Sequence, residues 1–233
     1  GIKHPDMKKI LELKIPVPPI EVQNEIVRIL DNFTELEAEL EARKRQYEYY
    51  RNTLLDFDRP ETLETVHTHT HTHGYSINKI KYALFGEVAE IVRGASPRPI
   101  NKFITDDEEG INWIKIGDVN PTEKYITTTK QKITIDGAKK SRIVKKGDFI
   151  LSNSMSFGRP YILKIDGCLH DGWLSISNFE KNYNTDFLYY LLSSDQVQKQ
   201  MKQKASVGTV KNLNADIVKS IKLPLYSMKY QHY

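Results

Sequence analysis

The sequence predicts an α+β protein in two parts, a long coiled-coil-forming helix followed by one globular domain of mixed helix and strand. Three observations predict it. Apolar residues recur every seven positions across 26–57, with no glycine or proline between Pro19 and Pro60. From Tyr75 onward short apolar segments alternate with turn signals at Gly117-Asp118, Asp136-Gly137, Gly147-Asp148 and Asp166-Gly167. The chain has 233 residues, 39% hydrophobic and 27% charged, which suits one or two domains with a real core.

The first stretch, 1–19, reads as a connector or the end of a preceding repeat unit. Leu13-Lys14-Ile15-Pro16-Val17-Pro18 returns near the end of the chain as Ile221-Lys222-Leu223-Pro224-Leu225-Tyr226, with Ile10 and Val218 at matching places upstream. One full unit followed by the opening of the next accounts for this. The helix is expected over 20–58. Its two interleaved series are Ile26, Phe33, Leu40, Tyr47, Leu54 and Ile29, Leu36, Arg43, Tyr50, Phe57, broken only by Arg43. These are a and d positions, and so narrow a stripe favours a helical partner over packing on the chain's own domain.

A Thr/His-rich linker is expected over 59–76. It holds four of the seven histidines, His67, His69, His71 and His73. Alternation puts them on one face of a strand, where they could bind zinc or nickel, but the tract is low in complexity and a variable linker is the plainer reading. The globular domain is expected over 77–226, with a short helix in 77–91 and strands over 111–116, 125–129, 132–135, 149–152 and 161–165. A helix follows over 185–204, then a last short one over 214–220. Residues 227–233 read as a tail.

Charge is divided unevenly. Residues 1–74 carry 10 basic and 14 acidic side chains, residues 75–233 carry 24 and 16. The second part is thereby suited to a polyanion and the first to protein. The single cysteine, Cys168, excludes an internal disulfide framework and a thiolate cluster, and reads as a small buried apolar residue. No stretch approaches the length of a membrane span and no charged-then-apolar leader opens the chain, so a cytoplasmic protein without membrane contact is expected.

Catalytic signatures are missing. The sequence shows no glycine-rich nucleotide loop, no nucleophile elbow and no H-E-x-x-H. Asn120-Pro121 lacks the following aromatic pair that amino-methyltransferases use, and Cys168 with His170 needs no joint role. What remains is basic, polar and loop-borne. Arg93, Ser96, Arg98, Asn101 and Lys102 combine guanidinium forks, a hydroxyl and an amide suited to base edges. Ser152, Asn153, Ser154, Ser156 and Arg159 form a second candidate loop, and Thr209, Lys211 and Asn212 a third. Lys139, Lys140 and Arg142 suit phosphates, which position without specifying. The expectation is a non-enzymatic chain that binds double-stranded DNA.

These residues resemble a known family. The stretch from Leu13 through Asp31, followed by Leu40-Glu41-Ala42-Arg43-Lys44-Arg45-Gln46-Tyr47-Glu48-Tyr49-Tyr50-Arg51, is similar to the central conserved region of specificity (S, HsdS-like) subunits of type I restriction-modification systems. Phe85-Gly86-Glu87-Val88-Ala89-Glu90-Ile91-Val92-Arg93-Gly94, Trp113-Ile114-Lys115-Ile116-Gly117-Asp118, Lys146-Gly147-Asp148-Phe149-Ile150-Leu151 and Thr209-Val210-Lys211-Asn212-Leu213 resemble the framework of that family's target recognition domain. The resemblance implies a DNA sequence-recognition subunit that docks methyltransferase (modification) subunits through its long helix. It places S-adenosylmethionine, ATP and Mg on the modification and restriction subunits, with no cofactor and no metal on this chain. Such subunits usually hold two recognition domains; this chain resembles half of one. Two copies could therefore pair as a homodimer through Ile26, Ile29, Phe33, Leu36, Leu40, Arg43, Tyr47, Tyr50 and Leu54 and read an interrupted palindrome. A coiled-coil assembly module whose α+β domain binds protein, or a truncated specificity cassette without independent activity, are the alternatives.

Overall fold

The protein was analysed as a computed structural model that describes residues 10–56, 81–120, 122–153, 157–206 and 212–225. It divides into two compact units, Gly1–Tyr49 and Tyr50–Tyr233. The α+β class holds. The linker with its histidine tract, the tail, Phe57, Ser154, Ser156, Thr209 and Lys211 lie outside the described residues.

The first unit is built on helix α1, Ile20–Leu54, a single run of 35 residues and roughly 52 Å long. It begins where Pro18-Pro19 ends: proline disfavours a helical residue before it, and the Pro19 carbonyl accepts the first bonds from Val22 N at 3.0 Å and Gln23 N at 3.1 Å. Exposed pairs such as Glu25–Arg28 at 2.6 Å and Glu41–Lys44 at 2.6 Å join neighbours one turn apart. No residue of α1 is buried. Ile26, Ile29, Phe33, Leu36, Leu40 and Tyr47, expected as a partner seam, all stand exposed. The helix was expected to reach 58 but ends at Leu54, because Leu55 drops into the globular core.

In the second unit, strand β1 (Lys81–Leu84), the single turn α2 (Phe85–Val88) and strand β2 (Glu90–Arg93) occupy the stretch expected as one helix. Pairing with the last strand of the chain takes Lys81–Leu84 out of the expected helix, and only Phe85–Val88 stays helical. β3 (Ile104–Thr105), β4 (Ile111–Ile114), β5 (Tyr125–Ile126) and β6 (Lys132–Ile133) follow. Asp136-Gly137 is not a hairpin turn but lies in the short helix α3 (Ile135–Ala138), whose start is capped by Gly137 N donating to Thr134 Oγ1 at 3.2 Å. Then come β7 (Arg142–Val144), β8 (Phe149–Ser152, with the bounds read from sequence), β9 (Pro160–Leu163), β10 (Gly167–Leu169) and β11 (Trp173–Ser177). The helix expected over 185–204 is two, α4 (Thr185–Ser193) and α5 (Asp195–Ser206). Ser194 is extended between them at φ −69° and ψ 150°. Helix α6 (Ala215–Lys219), capped by the Asn214 side chain accepting from Ile217 N, leads into β12 (Lys222–Leu225).

The strands form one pair and two sheets of five. β12 runs antiparallel to β1, with Ala83 opposite Leu223. One sheet has the order β3-β6-β4-β10-β7 and the other β2-β11-β8-β9-β5. Among the described residues, only β10 with β4 and β5 with β9 pair in parallel. The second sheet is covered on both faces. Phe149, Leu151, Leu174 and Ile176 join Leu188, Leu191, Met201 and Val218 from the helices and Leu223 from β12. Their neighbours Ile150 and Trp173 pack instead with Ile114, Val144 and Leu169 of the first sheet, as the two-residue period of a strand requires. Beyond the first sheet, Trp113, Ile133, Ala138 and Cys168 make a third, smaller cluster. Burial pushes the Cys168 thiol up, consistent with the apolar role expected of it.

The repeated phrase has two fates. In its second copy Val218, Ile221 and Leu223 are fully buried and the chain pairs with β1, whereas in the first copy Ile10, Leu13, Ile15 and Val17 are exposed.

Candidate nucleic-acid interface

Loops leaving β2, β8 and β10 meet at one end of the globular unit. The 93–102 loop is fastened first by its main chain: Gly94 N donates to Trp173 O at 2.9 Å and Ala95 N to Leu169 O at 2.9 Å. So close is this approach that a Cβ on Gly94 would lie 2.1 Å from His170 O. The 139–142 turn joins from the other side, where Ser141 Oγ donates to Ala95 O at 2.6 Å.

Asp171 is the centre of the arrangement. Ser96 Oγ donates to Asp171 Oδ1 at 3.0 Å, and Arg98 Nη2 to Oδ2 at 3.3 Å. The Asp171 carbonyl accepts from Arg93 Nε at 2.9 Å and from Asn153 Nδ2 at 3.4 Å. Asn153 N also donates to Gly172 O at 3.3 Å, and the Asn153 carbonyl accepts from Leu213 N at 3.0 Å, which ties in the chain that leaves the third candidate loop. Partial burial pushes the Asp171 carboxyl up, but the Ser96 hydrogen bond, with His170, Arg93 and Arg98 nearby, outweighs it and holds the group below the ordinary carboxylate range. Asp171 is therefore an anion under an otherwise basic surface.

His170 lies beside this anion, its Nδ1 3.2 Å from Asp171 Oδ1, and Gly172 N donates to the same Nδ1 at 2.9 Å. The ring packs edge-on to Trp113, centroids 5.8 Å apart.

The residues expected to read DNA divide into three groups. Arg93, Ser96 and Arg98 are brought together on Asp171, with the Arg98 side chain 81% exposed. Asn101 and Lys102 stand exposed on a tight turn, Ile100–Lys102, and Asn212 and Arg142 are exposed as well. Lys139 pairs with Asp136 at 2.9 Å, and Lys140 lies 4.7 Å from the Phe103 ring centroid; both remain exposed and positive. Ser152 and Asn153 correct the sequence expectation. They were read as loop residues facing a ligand, yet Ser152 is fully buried in β8 and Asn153 is 8% exposed, because β8 continues through Ser152 opposite Trp173. They frame the end of the sheet rather than line its surface. Arg159 is half-buried, 5.5 Å from the Tyr161 ring centroid, and its buried Nε has no hydrogen-bond partner among the described residues.

Sequence reasoning missed Asp171 and Ser141. The one available signal was an acid-glycine step, Asp171-Gly172, set among basic loops. Among the described residues no group of three or more His, Cys, Asp or Glu is placed to hold a metal ion, and no helix is long and apolar enough to cross a membrane.

The family model for the type I restriction modification DNA specificity domain matches residues 1–47 and 80–232. A putative type I restriction enzyme specificity subunit of Haemophilus influenzae is 29% identical across 96% of this chain and 54% of its own length. A type I restriction enzyme specificity subunit of Methanocaldococcus jannaschii is 26% identical across 99% of this chain and 56% of its own. This chain thus spans about half the length of these curated relatives. Among solved structures, the HsdS subunit of Thermoanaerobacter tengcongensis matches with a TM-score of 0.52 at 16% identity, over 93% of this chain and 49% of that one. The type I restriction-modification S subunit of M. genitalium matches with a TM-score of 0.55 at 14% identity, over 89% and 49%.

Proposed function

The chain belongs to the type I restriction-modification DNA specificity family, and from that membership we propose that it reads one half of a bipartite target on double-stranded DNA. The observation that carries this reading is the meeting of the 93–102 loop and Asn153 at Asp171, with the 139–142 turn fastened to the same loop through Ser141. Exposed lysines and arginines at the rim suit phosphates, and the Arg98 fork suits a base edge. On this reading the chain supplies no catalytic group. Methylation and cleavage belong to modification and restriction subunits, which would carry S-adenosylmethionine, ATP and Mg, in the cytoplasm.

Helix α1 is the assembly element of the proposal. Its exposed a and d residues, Ile26, Ile29, Phe33, Leu36, Leu40, Arg43, Tyr47, Tyr50 and Leu54, would pack against the helix of a second copy and seat the modification subunits. A homodimer so formed favours an interrupted palindrome, since protein symmetry is mirrored in the site.

The test is to express the full chain with its modification subunit and map adenine methylation by single-molecule sequencing. One interrupted motif is expected. Methylation blind to sequence would refute the proposal. The affinity of the complex for DNA should also fall steeply between about 50 and 200 mM salt, as released counterions require.

A further inference from the structure

Resting on that DNA-reading function, the geometry points to Asp171 as the positioning residue that presents Arg98 to one base pair of the target, with guanine as the base read. Arg98 leaves the 93–102 loop with its side chain 81% exposed, and it donates from Nη2 to Asp171 Oδ2 at 3.3 Å. An exposed ion pair of this kind adds little stability, so its value lies in direction. Asp171 can give direction because it is itself held from several sides. Ser96 Oγ donates to its Oδ1 at 3.0 Å, its own N–H donates back to Ser96 Oγ at 3.3 Å, and Arg93 Nε is on its carbonyl at 2.9 Å.

The pair also decides what Arg98 is fit to touch. A guanidinium carries five N–H donors in a flat fork, and a single bond to a carboxylate leaves a forked edge available. At the same time the carboxylate cancels the arginine's net charge, which weakens its attraction to phosphate but not its geometric match to a neutral base. Guanine offers O6 and N7 side by side in the major groove, the acceptor pair that such a fork spans. Lys139 and Lys140 differ, since each presents a point charge suited to phosphate.

Two substitutions in the full chain, each expressed with the modification subunit, test this by methylation mapping. Arg98→Lys keeps the charge and loses the fork; Asp171→Asn keeps the size and loses the anion. Both should lower discrimination at the same single G·C position by roughly ten- to a hundredfold, while every other position of the motif is kept. Asp171→Asn alone should also steepen the salt dependence of non-specific DNA binding by about one phosphate contact, a change that a merely structural residue does not cause. If Asp171→Asn lowers the melting temperature, Ser96→Ala, which removes both hydroxyl bonds that hold Asp171 and leaves its charge, takes its place in the comparison of discrimination at that position. Full stringency at every position in both variants, or relaxation at two different positions, overturns the inference and leaves the DNA-reading function intact. A wild-type chain that directs no motif overturns both.

Discussion

Replacing Gly94 by alanine should loosen the whole recognition end of the globular unit. The added Cβ would lie 2.1 Å from His170 O, 2.8 Å from the His170 carbonyl carbon and 2.9 Å from Leu169 O. All three are main-chain atoms of β10 and the residue after it, so no side chain can swing aside. Ordinary contact is near 3.5 Å, and the 94–95 segment must therefore retreat by at least about 1 Å. That movement breaks or stretches two bonds, Gly94 N to Trp173 O and Ala95 N to Leu169 O, both 2.9 Å. At about 1 kcal/mol each net, the loss is on the order of 2 kcal/mol. The retreat also carries Ser96 and Arg98 away from Asp171, so specific binding should fall more than stability does. Urea unfolding of the full chain would measure the first effect, and methylation mapping with the modification subunit the second. A Gly94→Ala chain with wild-type stability and an unchanged motif would refute the reasoning, because it would show that the loop does not need the close approach.

Two further outcomes are expected. Phe33→Asp in the exposed stripe of α1 removes an apolar side chain from each copy of a twofold dimer, about 3–6 kcal/mol in all. Light scattering should then find monomer at concentrations where the parent chain is dimeric, with the melting of the globular unit unchanged; a parent chain that is monomeric throughout rejects the pairing. Tyr183 is buried with its hydroxyl donating to Pro224 O at 3.1 Å, and burial pushes its ionisation well above the ordinary tyrosine range. The unfolded chain ionises first, so Tyr183 should make stability fall as pH rises past about 10. Tyr183→Phe should cost about 1 kcal/mol at neutral pH and flatten that alkaline decline, both read from urea melts across pH; an unchanged slope would show that another group governs it.

Helix α1 was legible because everything that makes it is local. The heptad, the neighbouring ion pairs and the prolines at 18 and 19 act within one or two turns, and only the last residues, where Leu55 enters the core, departed from expectation. The globular unit was legible in part. β8 could be read from its continuous apolar run. The interior strand β11 was not expected, since Trp173–Ser177 mixes serines with apolar residues and its place depends on β2 and β8 on either side. Within the stretch expected to hold a short helix, Lys81–Leu84 is instead a strand paired with β12 and only Phe85–Val88 is helical. The candidate site was legible as three basic loops but not as one place. Arg93, Ser96 and Arg98 lie 78, 75 and 73 residues from Asp171 in the chain, and no local pattern links them. For the same reason the burial of Ser152 and Asn153 at the end of β8 could not be read from their loop-like composition.

The repeated phrase marks the division most plainly. By itself the sequence determined that two stretches share an apolar-Lys-apolar-Pro pattern, that a heptad rod follows the first, and that the basic loops follow the rod. Only the tertiary structure decided that Lys222–Leu225 is a strand with Leu223 and Pro224 buried while Leu13–Val17 is exposed, because a strand needs a partner for its hydrogen bonds and the globular unit offers β1 to the second copy. Patterns that repeat within a turn of helix are written in consecutive residues; edges, sockets and the anion beneath Arg98 come from segments far apart in the chain.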